Sequence, residues 1–404
     1  MVKVAVLGYG NIGSGVVTVI QENQALIEKK IEDEIEVKYV LDLRDFPGDP
    51  MEQKLVHDIN VILEDPEITV VCETMGGVEP AYAYSKKALL AGKSVCTSNK
   101  ELVAAHGAEL LQIARQQNVN YMFEASVGGG IPIIRPLNHS LIPEKIEVIT
   151  GIMNGTTNYM LTKMAKEGYS YEDVLKEAQE KGYAEKNPAA DVEGYDACRK
   201  IAILSSLMCG KTVDYNEIYT EGITKITDKD FKYAKKLGMS IKLLAMSKYV
   251  DGDLLAMVAP FLIGETHPLY AVNDVFNGIL VHGNMLDDAM FYGRGAGKLP
   301  TASAVVSDVM ECARNPHHNL PVYWSDEKMS MKRISETSKR FFVRVKADAL
   351  ASVRAAFGML EKIEVPELPD EFAFITDVMT EKEYRRREQT TTGILSMIRV
   401  ESNN

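Results

Sequence analysis

An apolar run, Val2 to Leu7, opens into Gly8-Tyr-Gly10-Asn-Ile-Gly13-Ser-Gly15 and then into an amphipathic segment carrying Val16, Val17, Val19 and Ile20. Few folds accept such a start. A strand apolar at nearly every position belongs inside a parallel sheet covered on both faces. Gly8 makes the turn, Gly10 lets a pyrophosphate approach the backbone, and Gly13 lets helix and strand pack, while the helix N-terminus favours the phosphate charge. A lone GxGxxG is weak, but one set between a strand and a helix predicts dinucleotide binding.

The second strand is predicted over Ile35 to Leu41 and ends in Asp42-Leu-Arg44-Asp45. A carboxylate there hydrogen-bonds an adenosine ribose and favours NAD; an arginine meets the 2'-phosphate of NADP. Both are present, so NAD and NADP stay open. Strands at Thr69 to Cys72, Ser94 to Cys96 and Asn120 to Phe123 alternate with helical segments such as Ala81 to Ala91 and Glu109 to Gln117. That alternation gives an α/β fold with an open, Rossmann-type parallel sheet, and a dinucleotide-binding domain over residues 1–135. Ligands bind at the carboxyl ends of such strands, where Glu73-Thr74 and Thr97-Ser98-Asn99-Lys100 collect. Lys100 lies near a nicotinamide there, or is a solvated loop lysine.

The domain closes with Phe123-Glu124-Ala-Ser-Val127-Gly128-Gly129-Gly130-Ile131-Pro132. This is a turn needing positive φ, or a loop whose carbonyls coordinate a hard cation together with Glu124. A strand over Lys145 to Ile149 then leads into Asn154-Gly155-Thr156-Thr157 and a helix through Met164. Asn and Thr are ordinary caps there, and also donors suited to a carboxylate. In Glu185-Lys-Asn-Pro188-Ala-Ala-Asp191, proline ends what precedes it and Asp191 is expected to cap a helix with Val192, Tyr195, Ile201, Leu204 and Met208 on its apolar face. Asp196 and Lys200 then share one helix face, with Glu185 and Asp191 adding carboxylates from the preceding loop: a solvated ion pair, or a mixed-sign polar site. A second glycine-rich loop, Tyr292 to Lys298, feeds another helix.

The net charge of -12 argues against nucleic acid or an anionic membrane as partner. Five cysteines without CxxC spacing read as reduced core residues, and neither a leader nor a membrane span stands out, so a soluble, cytoplasmic protein is expected.

GYGNIGSGV, TSNKELVA, FEASVGGGIPII, GIMNGTTNYML, AEKNPAADVEGYDACRKIAIL and FYGRGAGKLPTASAVVSDV, in this order over residues 1–312, resemble the homoserine dehydrogenases. The resemblance implies NAD(P)-dependent interconversion of L-aspartate 4-semialdehyde and L-homoserine, on the route to threonine and methionine. It implies Lys200 as proton donor, Lys100 as a second catalytic lysine, and Glu185 and Asp196 as groups holding the amino acid, beside Asp191, Asn154, Gly155 and Thr156. Gly10, Asn11, Ile12, Gly13, Thr74, Lys100, Gly182, Glu185 and Gly295 would meet the nucleotide, with Gly8 and Arg44 from the fingerprint. Glu124, Val127, Gly129 and Ile131 match the family's monovalent-cation loop, usually described with sodium. A homodimer or homotetramer is expected, and a monofunctional one, since no aspartate-kinase segment precedes Val2. Arg294 and Lys298 depart from the family, standing where proline and glycine are common; His282 is also unusual in its segment.

Residues 136–299 are expected to form an α+β substrate and dimerisation domain, with 300–318 packing back on the first. From Leu320 to the end, strand (Arg340 to Lys346), helix (Leu350 to Leu360), strand (Ile363 to Val365), strand (Glu371 to Thr376), helix (Glu381 to Arg387) and strand (Gly393 to Val400) give the βαββαβ pattern of an ACT-like module. Asp348-Ala-Leu-Ala-Ser stands where such modules carry an effector-site glycine, so threonine control and a purely oligomerising role are both open. A non-catalytic amino-acid sensor on the same fold is the alternative to the enzyme.

Overall fold

The computed structural model describes residues 1–401. In chain order the strands are β1 (Val2–Leu7), β2 (Ile35–Leu41), β3 (Leu55–Val56), β4 (Ile68–Glu73), β5 (Ser94–Thr97), β6 (Tyr121–Met122), β7 (Ile146–Ile152), β8 (Tyr219–Thr220), β9 (Met239–Val250), β10 (Asp253–Gly264), β11 (Phe276–Gly283), β12 (Asp287–Arg294), β13 (Ser338–Lys346), β14 (Glu371–Ile375), β15 (Met379–Thr380) and β16 (Ile394–Glu401). The helices are α1 (Asn11–Glu22), α2 (Gln24–Ile31), α3 (Ile59–Leu63), α4 (Ala81–Leu90), α5 (Lys100–Gln116), α6 (Gly155–Glu167), α7 (Tyr171–Glu180), α8 (Ala189–Val192), α9 (Tyr195–Cys209), α10 (Asp228–Lys236), α11 (Lys298–Arg314), α12 (Leu350–Phe357) and α13 (Glu381–Gln389). They divide into two compact units. Among the described residues no helix is long and apolar enough to cross a membrane.

The first unit comprises residues 1–145, 202–215 and 293–329. Its sheet runs β3-β2-β1-β4-β5-β6 with every pairing parallel. Strand order reverses between β1 and β4, which opens a ligand crevice at their carboxyl ends. The apolar side chains of β1 and α1 bury against Val305, Val306 and Val309 of α11, so a helix distant in sequence completes this core. The helix expected over Glu109 to Gln117 begins nine residues earlier, at Lys100. Asn99 starts it, its side-chain oxygen accepting from the Glu101 and Leu102 amides at 3.1 Å each.

The second unit comprises residues 146–201, 216–292 and 330–401 among those described. Its sheet runs β12-β11-β7-β9-β10-β16-β13-β14, with β8 added to β10 and β15 to β13. The long hairpin β9–β10 supplies the apolar core, including Leu244, Met246, Met257 and Phe261. Within the tail, β13 lies between β16 and β14, and Ile363 bridges Ala373 on the far side of β14. The expected strand over Ile363 to Val365 is thus a single bridge, and α12 ends at Phe357, leaving Leu360 outside it. β16 also pairs in parallel with β10, placing the tail in the same sheet.

Two buried arginines fasten the tail. Arg344 on β13 forks onto Glu371 at 3.0 Å and reaches Asp230 of α10 at 2.8 Å. Arg399 on β16 forks onto Glu381, at 3.0 and 2.6 Å, and reaches Glu221 at 2.7 Å. Charges this far from water persist only when paired.

The segment expected to be one helix from Asp191 is two. Gly194, at φ +85°, separates α8 from α9, with Thr220 and Val258 packed against its α-carbon. Asp191 therefore sits inside α8 rather than capping a helix, and Tyr195 is exposed rather than on the apolar face.

Candidate active site

In the first unit the glycine loop has the shape a dinucleotide requires. A Cβ at Gly13 would sit 1.9 Å from the Gly8 carbonyl oxygen, so only glycine closes this turn. Beside Gly10 there is nothing within 4 Å of where a Cβ would stand, leaving the backbone open to a pyrophosphate. Thr74 anchors the loop, donating its hydroxyl to the Gly8 carbonyl at 2.8 Å. Asn11 and Ile12 open α1 behind it.

At the end of β2, Asp42 accepts from the Tyr9 amide at 2.8 Å and is forked by Arg44, whose Nε and Nη2 each stand 2.9 Å away. The Arg44 hydrogen bond, against the opposing effect of burial, pulls this carboxyl down to about 2. Glu73, at the end of β4, is completely buried; burial pushes its carboxyl up to about 7 although Thr97 and the Met75 amide donate to it. Lys100 is the first residue of α5, hence on a helix rather than in a loop.

The loop around Glu124 is held from within. Its carboxylate accepts from the amides of Ile133 (2.6 Å), Ile134 (2.9 Å) and Arg135 (2.6 Å), which leaves main-chain carbonyls as the groups a cation would use. Gly129 has φ +57°, and a Cβ on it would lie 2.4 Å from the Gly295 carbonyl oxygen, so the two glycine loops meet backbone to backbone. Val127 and Ile131 are buried beside them. Asp308 of α11 accepts from the Glu124 amide at 2.9 Å and from Arg135 at 2.6 Å. Burial and the Glu124 carboxylate push its carboxyl up to about 7, against the pull of Arg135. Among the described residues no cluster of three His, Cys, Asp or Glu could hold a metal ion.

In the second unit the expected polar residues converge. Lys200 donates to Asp196 Oδ2 and to the Met153 carbonyl, both at 2.8 Å. Asn154, the N-cap of α6, accepts from the Thr157 amide at 2.9 Å, and its Nδ2 donates to Asp191 at 2.7 Å and Asp196 at 3.0 Å. Its amide protons are therefore taken up by the two carboxylates rather than offered to an anion. Thr156 ties down the next loop through the Tyr183 carbonyl at 2.7 Å, and Gln179 does so through that of Glu185 at 3.0 Å. Glu185 and Gly182 are exposed on that loop.

Two family models match the chain in succession: the NAD-binding domain of homoserine dehydrogenase over residues 8–124 and homoserine dehydrogenase itself over 132–310. The homoserine dehydrogenase of Bacillus subtilis is 42% identical over 318 residues, 78% of this chain and 73% of that protein. The chain belongs to the homoserine dehydrogenase family. Its activity is that of an NAD(P)-dependent oxidoreductase, and a non-catalytic sensor finds no support.

Solved homoserine dehydrogenases carry the same fold. The enzyme from Thiobacillus denitrificans superimposes with a TM-score of 0.90 at 33% identity, covering 99% of this chain and 98% of that one. A hyperthermophilic archaeal homoserine dehydrogenase mutant, in complex with NADPH, does so at 0.67 and 26% identity, over 80% of this chain and 99% of that one. In this chain, Arg135 and Asp308, which brace the Glu124 loop, carried no assigned role in the sequence. The available signal was a charged residue amid the apolar stripe Val305, Val306, Val309 and Cys312 of α11. The Met153 carbonyl, which holds Lys200, carried no side-chain signal at all.

Proposed function

We propose that this chain interconverts L-homoserine and L-aspartate 4-semialdehyde, with Lys200 carrying the proton. The observation behind this reading is the Lys200 ammonium: buried, held by Asp196 and by the Met153 carbonyl, and possessing one further N–H for a substrate oxygen. A nicotinamide cofactor held by the glycine loop would supply or accept the hydride at the substrate carbon. In reduction, Lys200 gives a proton to the oxygen that gains negative charge; in oxidation, the neutral amine takes the hydroxyl proton. Asp196 holds the amine in place, and Lys100 adds positive charge as a second catalytic lysine. Glu185, with Asp191 and Asp196, pairs with the substrate ammonium. Asn154 sets the carboxylates, while the Gly155 and Thr156 amides at the start of α6 take the α-carboxylate.

On this reading Gly8 to Gly13, Thr74, Gly182 and Gly295 line the nucleotide, and Arg44 is released from Asp42 only for a 2'-phosphate. The carbonyls of Glu124, Val127, Gly129 and Ile131 would hold a sodium ion, which would add fixed positive charge to the loop. The working form is a cytoplasmic homodimer or homotetramer, and residues 320–401 act as an ACT-like module. Following absorbance at 340 nm during homoserine oxidation, with NAD and NADP in turn, tests the core of this; no turnover with either rejects it. Parallel additions of sodium, potassium and threonine test the cation and the effector, and light scattering gives the oligomer.

A further inference from the structure

The glycine loop contains one glycine more than dinucleotide binding explains. Gly15 stands a full turn into α1, beyond the turn, the pyrophosphate approach and the helix–strand contact made by Gly8, Gly10 and Gly13. A Cβ there would meet Ala302 Cβ and Lys298 Cγ at 3.0 Å and the Lys298 carbonyl at 3.1 Å. The absent side chain is therefore the seat of Lys298, the first residue of α11, whose stem lies across α1.

From Gly15 to the start of α1 is about 6 Å along the helix axis, at 1.5 Å per residue. The ammonium of Lys298 lies three bonds past the atom resting on Gly15, a reach of roughly 4 Å on a flexible stem. Lys298 is half-buried, and among the described residues no carboxylate forms an ion pair with it. A half-buried cation without a protein counter-charge, one helical turn from an anion-binding loop, is placed for a ligand's charge rather than for the fold.

We propose that Lys298 contacts the pyrophosphate of the bound dinucleotide, reaching over α1 from α11 and adding a charged contact to the backbone amides of the glycine loop. The proposal rests on the nucleotide reading of that loop and not on which substrate is reduced. It gives Gly15 a purpose: any larger residue would lift the lysine stem off α1. It also gives one cationic departure from the family pattern a ligand. Lys298 acts here in binding; no proton or hydride passes through it.

Lys298→Gln keeps most of the stem on Gly15 and removes the charge. NADH and NADPH are titrated into wild type and variant by nicotinamide fluorescence, and ADP-ribose, which carries the pyrophosphate without nicotinamide, by competition. The expected result is a Kd about tenfold higher for all three, a larger loss in Lys298→Glu, recovery in Lys298→Arg, and a shallower weakening by NaCl in the uncharged variant. An unchanged thermal melt shows that folding is intact. Affinities within about twofold of wild type overturn the proposal, as does a variant that binds ADP-ribose normally while losing the dinucleotides. Because these are binding measurements, a protein that failed to oxidise homoserine would still give a clear answer here.

Discussion

The Nζ of Lys200 stands 2.8 Å from Oδ2 of Asp196, one turn before it on α9, and both side chains are buried. A lysine tied to a single carboxylate on a helix surface contributes little. Here the Met153 carbonyl fixes a second direction, so the third N–H points along one line rather than sweeping a cone.

Lys200→Ala is expected to lower kcat by about a thousandfold, within the usual range for a lost general acid. Dinucleotide affinity should stay at its wild-type value. Lys200→Arg should not restore turnover, because a guanidinium holds its proton too tightly to pass it on. Steady-state rates and a cofactor titration on the same preparations check both statements.

Asn154→Ala removes an N-cap, at a cost of about 1 kcal/mol, and also the donor shared by Asp191 and Asp196. We expect Tm to fall by about 2–4 °C and KM for homoserine to rise, with KM for the cofactor unmoved. Asn154→Ser keeps a neutral capping oxygen but cannot serve both carboxylates, so it should recover part of the melt and not the KM. Equal recovery of both would leave Asn154 as a cap alone.

Glu73 sets a pH dependence whose sign follows from its raised carboxyl, about 7 in the folded chain against 4.5 as the ordinary value. Below roughly pH 4.5 the group is protonated in folded and unfolded chains alike and costs nothing. As pH rises toward 7 the unfolded chain ionises first, so stability drains away across that interval and levels off above it. Glu73→Gln should abolish this term. Relative to wild type, the variant should gain on the order of 2–3 kcal/mol between pH 4.5 and pH 8. Urea unfolding of both proteins at these two values reads the difference; a constant offset would show that Glu73 is ionised when folded.

Arg344→Met strands Asp230 and Glu371 in the interior without their cation. Removing one partner of such a group costs about 3–5 kcal/mol. Combining Arg344→Met with Asp230→Leu and Glu371→Leu should recover much of the loss, since burying the ion cluster carries its own desolvation penalty. Calorimetry on the single and triple variants separates these outcomes.

What the sequence disclosed depended on whether the cause of a structure was local. Val2 to Leu7 declared itself because a strand covered on both faces must be apolar throughout, and the glycine spacing after it because each glycine answers a steric demand within a few residues. Gly194 was opaque, since Thr220 and Val258, which pack against it, lie on later strands. Asp191 looked like a cap from its neighbours, yet its side chain answers to Asn154, 37 positions earlier. Arg344 and Arg399 drew no notice in the sequence for the same reason: their carboxylates come from elements far away along the chain. At the candidate site, spacing brought Asp196 and Lys200 together on one face, but nothing local announced that a main-chain carbonyl would complete the arrangement.

The parallel pairing of β16 with β10 binds the fate of the C-terminus to that of the central hairpin. A protein shortened before residue 394 would leave Phe261 to Ile263 of β10 and Arg340 to Val345 of β13 without the strand that pairs with both. Such unpaired edges recruit strands from other molecules. We therefore expect shortened versions to collect in inclusion bodies before any loss of catalysis can be assayed, and appending charged residues after the cut to be a poor remedy compared with supplying the missing strand as a separate peptide.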